Sequence, residues 1–403
     1  MSSSVSTSVS HRSSLLFLAI TLLSFLAASS APTPLYHLYQ EALQFSSATL
    51  TLIFGVYALS LLAALLTVGS LSDHLGRKPV IFAALLLDML AMLLFINAES
   101  VAWLIAARVT QGFATGMATS VLGAALLDTD RQQGPLVNSV APLLGMACGA
   151  MGTSLLVEFA PQPMQLVYWI LFGLFVLQAL YVWRLPESVS RQPGAWASLR
   201  PTLHVPPQAR RALWLALPVD VAVWAMSGFY LSLAPSLVRA STGSTSNLIG
   251  GGLVAVLTLS GAVAIFSLRN RPADKVLRLG ASLLAVGVVL ILAAVHSASL
   301  PLFFFGTWVG GSGFGAGFLG ALRSVVPLAL PHERAGLMSA FYVLSYLAFC
   351  LPSLLAGSLT RSFGLIATTD GYGALLIMLS LGALLGLMFQ RPAKDLPAPH
   401  ISL

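Results

Sequence analysis

Charge is scarce in this chain of 403 residues. Asp, Glu, Lys and Arg together make up 8% of it, whereas 57% of the residues are hydrophobic. Soluble globular proteins carry about 25% charged residues, because their surfaces face water on all sides. The composition therefore excludes an ordinary soluble protein.

Cysteine is almost absent as well. The two cysteines, Cys148 and Cys350, each lie inside an apolar run and show neither CxxC nor metal-ligand spacing. We therefore expect two free thiols buried in helices, no metal site and no cofactor. Enzyme signatures such as HExxH, a nucleophile elbow or a phosphate-cradling loop are also missing, so no catalytic residue is predicted.

Apolar runs of about 20 residues, each long enough to cross a bilayer core of roughly 30 Å as a helix, recur along almost the whole chain. The runs do not alternate as barrel strands would. They predict an all-α polytopic membrane protein with twelve transmembrane helices in two pseudo-symmetric six-helix bundles. The predicted helices are 14–34, 47–69, 79–97, 101–126, 136–158, 164–184, 211–237, 247–268, 276–296, 300–328, 335–358 and 370–390.

The two halves of the chain repeat weakly at an offset near 200 residues. Ala31-Pro32-Thr33 matches Ala234-Pro235-Ser236, and Asp130-Arg131 matches Glu333-Arg334. The first run resembles a signal peptide, but removing it would spoil this repeat, so it is taken as the first helix. The predicted organisation is a bundle at 1–184, a cytoplasmic linker rich in proline at 185–210, and a bundle at 211–403.

The basic residues predict the orientation in the membrane. With a cytoplasmic N-terminus, sixteen of the 20 Lys and Arg residues lie at cytoplasmic ends; the exceptions are Arg108, Arg239, Arg323 and Arg361. This positive-inside bias predicts a multi-pass protein of the cell (inner or plasma) membrane with both termini cytoplasmic. The net charge of +7 then reports topology, and no nucleic-acid partner is expected.

One short stretch collects charge between two apolar runs. Residues 69–78 read Gly-Ser-Leu-Ser-Asp-His-Leu-Gly-Arg-Lys. Gly76 permits a tight turn, and the guanidinium of Arg77 can hold a carboxylate on another helix end, with Asp128 the best partner by depth. Such a cluster could latch the helix ends in one state and release them in another. Alternatively, Arg77 and Lys78 only set topology.

This stretch closely resembles the loop signature G-x-L-[AS]-D-x-x-G-[RK]-[RK] of the major facilitator superfamily. Arg108-Val-Thr-Gln111-Gly112 resembles the R-x-x-Q-G pattern of its proton-driven drug and metabolite antiporters. A fifth-helix signature of those antiporters is altered, since Ala141 precedes Pro142 and Met146 follows Gly145. The resemblance implies a secondary transporter with a cytoplasmic gating cluster of Gly69, Asp73, Gly76, Arg77, Lys78 and Asp128.

Four charges lie within predicted spans, where each should have a partner or line water. Depth counting at about 1.5 Å per residue puts Asp88 within reach of Arg108 and predicts a second pair of Asp220 with Arg323. Asp220 or Asp88 would carry the coupled proton, Asp220 being favoured because the seventh helix lines the cavity in the resembled family. The alternative is fixed ion pairs that only order the helices.

Polar and aromatic side chains at helical spacing form a candidate substrate cavity. With few charges, it suits an amphipathic, weakly polar or cationic organic molecule; otherwise these side chains only pack or anchor helices at the interface. The candidates are Gln111, Thr115, Asn138, Trp224, Ser227, Trp308, Ser312, Tyr342 and Tyr346.

The predicted function is proton-coupled antiport that exports small amphipathic organic compounds by rocking one bundle against the other. The expected partners are a small-molecule substrate, protons and the lipid bilayer, with the protein acting as a monomer. The altered fifth-helix signature keeps a proton-coupled uptake symporter open. A non-transporting sensor or membrane enzyme is a remote alternative.

Overall fold

The computed structural model describes residues 11–330 and 332–389, and within them every regular element is helical. The first eight α-helices are α1 His11–Ser30, α2 Tyr36–Leu43, α3 Ser47–Val68, α4 Leu71–Leu75, α5 Arg77–Ile96, α6 Val101–Thr129, α7 Gly134–Phe159 and α8 Pro163–Tyr181. The other eight are α9 Ala195–Ser198, α10 Pro207–Ser232, α11 Ala234–Thr242, α12 Asn247–Leu268, α13 Ala273–His296, α14 Leu300–Val325, α15 Arg334–Phe363 and α16 Leu365–Met388. The chain ends, and with them the predicted cytoplasmic termini, lie outside the described residues.

Twelve helical segments of this part of the chain are long enough to cross a membrane. Eleven of them are also apolar enough by composition, the first being α1 together with α2. The twelfth is α6, which carries Arg108 and Gln111 but has 29 residues, or about 43 Å of helix. The prediction of an all-α, twelve-helix membrane protein is confirmed.

Helix ends follow local chain chemistry. Proline occupies the first turn of α8 and α10, where its missing N–H costs no helical hydrogen bond. The first helix stops at Ser30 rather than at residue 34, since Pro32 and Pro34 lead into a 3-10 turn at Thr33–Leu35. The eleventh crossing runs beyond residue 358 to Phe363, where Gly364 turns the chain with a φ of 79°.

Buried apolar side chains form one large cluster between Leu18 and Leu185 and another between Ala209 and Leu387. Each cluster fills the interior of a bundle of six crossings. We call these the N bundle and the C bundle. They meet where α3 packs on α15 and α7 packs on α12.

The molecule has two ends that differ in charge. The basic face carries residues 69–78 and the 185–206 linker, and the far face is the opposite end, where α1 and α10 finish. At the far face the hydroxyl of Thr33 donates to the carbonyl of Leu231 at 3.0 Å. The carboxylate of Glu158 accepts from the backbone and side-chain nitrogens of Asn247, both at 3.2 Å. These hydrogen bonds join the two bundles at the far face.

Glycine allows the bundles to approach closely beside these hydrogen bonds. A Cβ on Gly251 of α12 would lie 2.5 Å from the carbonyl oxygen of Ala150 on α7. Gly357 of α15 packs on Thr51 of α3 in the same way, with 2.0 Å between the ideal Cβ and Oγ1. The far face is therefore closed in this conformation.

The expectation that both thiols are buried is wrong for Cys148. Cys350 is buried between the bundles, where its thiol lies 3.6 Å from the carbonyl oxygen of Gly55. Cys148 is exposed on α7, because its neighbours in sequence, not Cys148 itself, face the packed side of that helix.

Candidate functional site

Arg77 is the centre of the charged cluster at the basic face. Its Nε donates to Asp128 at 3.0 Å, and its Nη1 donates to Asp73 and to Ser72, both at 2.6 Å. Gly76 makes the preceding turn with a φ of 95°, in the left-handed region that favours glycine. The arginine fork therefore ties the end of α6 to the short helix α4, as the sequence led us to expect.

Two other members of the predicted cluster have different contacts. Lys78 donates through Nζ to the carbonyls of Leu185 at 3.0 Å and Trp183 at 3.4 Å, so its charge lies at the end of the sixth crossing. The carbonyl of Gly69 accepts from Ser120 on α6 at 2.7 Å. Both residues hold neighbouring helices in place without touching the Arg77 fork.

The sequence reasoning missed Glu187 and Ser188. The carboxylate of Glu187 accepts from the backbone N–H of Arg77 at 2.7 Å and of Lys78 at 3.1 Å, while Ser188 donates to Asp128 at 3.0 Å. Glu187 is the single acidic residue between 185 and 210. An acidic residue that is alone among neutral and basic residues was the feature of the sequence that could have pointed to Glu187.

Asp130 follows α6 in the neighbouring turn. The backbone N–H groups of Gln133 and Gln132 donate to its carboxylate at 2.9 and 2.8 Å. These bonds, that of Gln133 above all, hold the pKa of Asp130 below its usual value. The charged form of Asp130 thus orders the turn into α7.

Arg108 is buried in the N bundle, but it is not paired with Asp88 as predicted. Its Nε and Nη2 donate to the hydroxyl of Tyr36, and Nη1 donates to Ser29 O at 2.9 Å and to Gln111 at 2.7 Å. The guanidinium also lies 4.9 Å from the ring centroid of Tyr57. Its donors are taken up by neutral acceptors on α1, α2 and its own helix.

Asp88 is fully buried in the same bundle, and neither of its carboxyl oxygens has a hydrogen-bond partner among the described residues. Arg108 is its charged neighbour but does not reach hydrogen-bonding distance. An unpartnered carboxylate is costly inside a membrane protein, so Asp88 stays a candidate for proton binding.

The polar candidates in the N bundle, two amides and one hydroxyl, mostly serve packing. Gln111 donates to the carbonyl of Ala28 at 2.9 Å, and Thr115 donates to the carbonyl of Gln111 at 2.8 Å, both fully buried. Asn138 is partly exposed on α7 with its side-chain oxygen beside Gly123 and no hydrogen-bond partner in the described structure. Of the three, Asn138 alone keeps an accessible surface.

Asp220 is buried on α10, one turn before Trp224, which packs against the apolar cluster shared by the two bundles. One carboxyl oxygen accepts from the hydroxyl of Ser345 on α15 at 2.7 Å, and the other is buried with no partner in the described residues. The indole N–H of Trp224, one turn along, is directed at this carboxyl but does not reach hydrogen-bonding geometry. One carboxyl oxygen of Asp220 and the indole N–H of Trp224 are therefore unpartnered in the described structure.

The predicted pair of Asp220 with Arg323 is wrong. Arg323 lies at the basic end of α14, where its Nη1 donates to the carbonyls of Arg269 at 2.8 Å and Arg271 at 2.9 Å. These carbonyls follow the end of α12 and lack helical partners, so they attract a cation. Depth counting missed this because it ignores the direction of the side chain.

Aromatic rings surround Trp224 between the bundles. Its ring centroid lies 4.9 Å from that of Tyr346, 5.7 Å from Phe349 and 5.9 Å from Phe318. Tyr342 adjoins Tyr346, and both tyrosines and Trp224 keep part of their surface exposed. We call Asp220, Trp224, Tyr342, Ser345 and Tyr346 the Asp220 cluster.

The two candidates on α14 do not belong to this cluster. Trp308 is 55% exposed and packs on Phe305 at the outer surface of the bundle. Ser312, on the same helix face, donates to the carbonyl of Trp308. Trp308 and Ser312 do share one face of α14, as their spacing predicted, but that face points to the outer surface of the bundle. Ser227 on α10 is buried.

The altered signature of the fifth crossing keeps its packing role. Pro142 lies inside α7, and Gly145 and Gly149 pack directly on α1. An ideal Cβ would lie 2.3 Å from the carbonyl oxygen of Leu23 at the first glycine and 2.0 Å from that of Ala27 at the second. The substitutions therefore spare the two glycines whose lack of a side chain is structurally required.

Known proteins resemble this chain over most of its length. The family model described as Major Facilitator Superfamily matches residues 16–275. The "Multidrug resistance protein MdtL" of Escherichia coli O6:K15:H31 (strain 536 / UPEC) is 26% identical over 375 residues, which cover 88% of this chain and 89% of that protein. The protein of the same name from Shigella boydii serotype 18 (strain CDC 3083-94 / BS512) is also 26% identical over 375 residues, with the same coverage.

Solved structures show the same fold. The nucleoside transporter NupG superposes with a TM-score of 0.73 at 14% identity and covers 94% of this chain and 100% of its own. A bacterial homologue of the human lysosomal transporter Spinster, solved in an inward-facing and unoccupied conformation, gives a TM-score of 0.70 at 16% identity and covers 96% of each chain.

Proposed function

Since the chain belongs to the major facilitator superfamily, we propose that it is a proton-coupled antiporter that exports small amphipathic organic compounds, cationic ones above all. As a membrane transporter rather than an enzyme, it needs a cargo site and a driving ion. The multidrug resistance proteins that match 88% of the chain support export of organic compounds. The geometry of the Asp220 cluster carries the proposal.

The cluster combines one acid with several aromatic faces. Asp220 is buried, and Trp224, Tyr342 and Tyr346 lie beside it with partly exposed rings. Aromatic faces attract organic cations, and a carboxylate adds charge complementarity. The two arginines predicted within spans do not offset that charge, because Arg108 is bound inside the N bundle and Arg323 lies at the basic face.

The simplest form of antiport has cargo and proton compete for one group. A protonated Asp220 can donate to a neighbour and tolerates burial, whereas the carboxylate attracts a cation. Ser345 links that carboxyl to α15, one of the helices that join the two bundles. Loading a proton or a cargo on Asp220 would therefore change the contacts of a helix at the interface that must move.

We propose further that the basic face is cytoplasmic and that Asp73, Arg77 and Asp128 gate it. The excess of Lys and Arg at this face supports the orientation. With the far face closed by contacts such as Thr33 to Leu231, this conformation corresponds to access from the cytoplasm. Rocking of the N and C bundles would then expose the Asp220 cluster to the other side.

Proton-coupled uptake on the same fold is the second candidate function. It was supported by the altered antiporter signature in the fifth crossing. The direct packing of Gly145 and Gly149 on α1 weakens that support, because this stretch of the fifth crossing still packs closely on its neighbour. Export therefore remains the better proposal.

The test is ethidium transport in proteoliposomes under an imposed pH gradient. We expect ethidium to move against the proton flow, and Asp220→Asn to reduce this gradient-driven transport by at least about tenfold, the effect of losing about 1.4 kcal/mol of coupling. The matched control is Asp370→Asn, which removes a half-buried acid paired with His296 at the far face. Ethidium movement along the proton flow would support the symporter, and an unchanged Asp220→Asn variant would remove Asp220 from coupling.

A further inference from the structure

The linker between the bundles is docked on the basic face along much of its length. After Glu187, the backbone N–H of Gln192 donates to His74 O at 3.1 Å, and the ring of His74 lies 3.1 Å from Pro193 O. Ser70 donates to Ser198 O at 3.2 Å. The linker thus follows the loop of residues 69–78 from Glu187 as far as Ser198.

The same linker then attaches to the C bundle. The backbone N–H of His204 donates to Gly336 O at 3.3 Å, and directly after the linker Gln208, in the first turn of α10, donates to Glu333 at 2.8 Å. Gly336 lies in the first turn of α15 and packs directly on His204, with 3.0 Å from its ideal Cβ to the Cβ of His204. The helix that bears Ser345 of the Asp220 cluster is therefore joined to the loop of residues 69–78 by a short piece of chain.

The length of this piece sets a limit. Between the attachment points at Ser198 and His204 only residues 199–203 are free, and the six residue steps from one point to the other reach about 20 Å when extended. If the contacts of Glu187, His74 and Ser70 were lost, the free segment would begin near Ser188. Sixteen residues reach about 55 Å, so undocking would remove the limit.

We propose that residues 187–204 form a strap that limits how far the basic-face ends of the two bundles separate, with Glu187 as its anchor. The carboxylate of Glu187 suits this role because it accepts from two adjacent N–H groups at the start of α5. A carboxylate at a helix N-terminus is stabilised by the helix dipole. The carboxylate fits closely against the chain, since an ideal Cβ on Gly76 would lie 2.8 Å from Oε2 of Glu187.

This inference rests on the rocking motion of the proposed function but not on its cargo or its proton. The strap restrains the state that is open at the basic face and is slack when that face closes. Glu187 is a positioning residue, because it acts on the separation of the bundles and does not touch cargo.

The test measures that separation directly, by double electron–electron resonance in lipid nanodiscs without cargo or gradient. Spin labels replace Arg131 and His332, exposed residues in equivalent turns of the two bundles, in a Cys148→Ser, Cys350→Ser background. We expect a four-residue Gly-Ser insertion after Pro201 to extend the long edge of the distance distribution by up to about 14 Å. Glu187→Gln should extend it by a smaller amount, because the contacts of His74 and Ser70 with the linker remain and must also break before the free segment lengthens.

Two matched controls carry the same changes at the far face. They are an identical insertion after Ala98 and the substitution Glu99→Gln, an exposed glutamate of that loop. Distributions that match the unmodified protein in both strap variants would overturn the proposal. If the insertion extended the distance distribution but Glu187→Gln did not, the role of Glu187 as the anchor would be overturned. If ethidium export failed while the distances shifted as expected, the strap would stand and the proposed function would fall.

Discussion

Gly251 offers a direct test of how the far face is closed. In the Gly251→Ala variant, the new Cβ would lie 2.5 Å from the carbonyl oxygen of Ala150, a backbone atom that cannot rotate away, and 2.2 Å from the hydroxyl of Ser154. Overpacking of this kind costs about 1–3 kcal/mol. The cost falls only on the conformation in which α12 touches α7, so the substitution should shift the protein toward the state with an open far face.

Cys350 is a native reporter of that shift. Its thiol is buried against Gly55 where α3 meets α15, the other pair of helices that joins the bundles. In a Cys148→Ser background, alkylation by N-ethylmaleimide therefore requires the bundles to part. If reclosing is fast relative to alkylation, a cost of about 1–3 kcal/mol in the closed state should raise the alkylation rate by about 5- to 150-fold.

The neighbouring glycine is the control. An ideal Cβ on Gly252 has Phe304 as its nearest neighbour at 3.4 Å, an ordinary contact. Gly252→Ala adds the same methyl group to the same helix and should leave the alkylation rate unchanged. Equal rates in the two variants, with both proteins monodisperse and folded, would refute the reasoning, because the closeness of Gly251 to Ala150 would then not control the far face.

Three further outcomes are expected. Arg108→Lys should lower gradient-driven ethidium transport more than tenfold and lower the melting temperature in detergent, because an ammonium cannot replace the fork that holds Tyr36. Glu158→Gln should speed alkylation of Cys350 by roughly 2- to 5-fold, the effect of about 0.3–1 kcal/mol of charge at the N-terminus of α12. Because the pKa of Asp130 is lowered in the folded protein, its carboxylate stabilises the turn at pH values above the ordinary aspartate pKa. This stabilisation is lost as the pH falls through the folded-state pKa. The protection factors of amides in that turn, with the intrinsic exchange rate at each pH divided out, should therefore fall below about pH 4, and Asp130→Asn should abolish the fall.

Local chemistry made several features of the site predictable. The turn at Gly76, the arginine fork of Arg77 and its partner Asp128 follow from residue type and depth along the helices. The two buried acids were also evident, since a carboxylate in an apolar span is conspicuous in a sequence.

Pairing between helices was not predictable in the same way. Asp88 and Arg108 were assigned to each other by depth, yet the arginine extends to Tyr36 across the bundle. Trp308 has the same helical spacing as a cavity residue but faces outward. Depth depends on position along a helix, whereas partnership also depends on the rotation of each helix about its axis, which only the packing of all the neighbours determines.

The amino-acid sequence alone determined the membrane class, the number of crossings and the location of the charged loop, because long apolar runs and their breakers act over one helix at a time. Tertiary structure decided which side chains meet: Ser345 with Asp220, Glu187 with the start of α5, and Glu158 with Asn247. These contacts join residues 89 to 125 positions apart. No local periodicity encodes them, since they arise from the rotation and tilt that close packing imposes on the helices together.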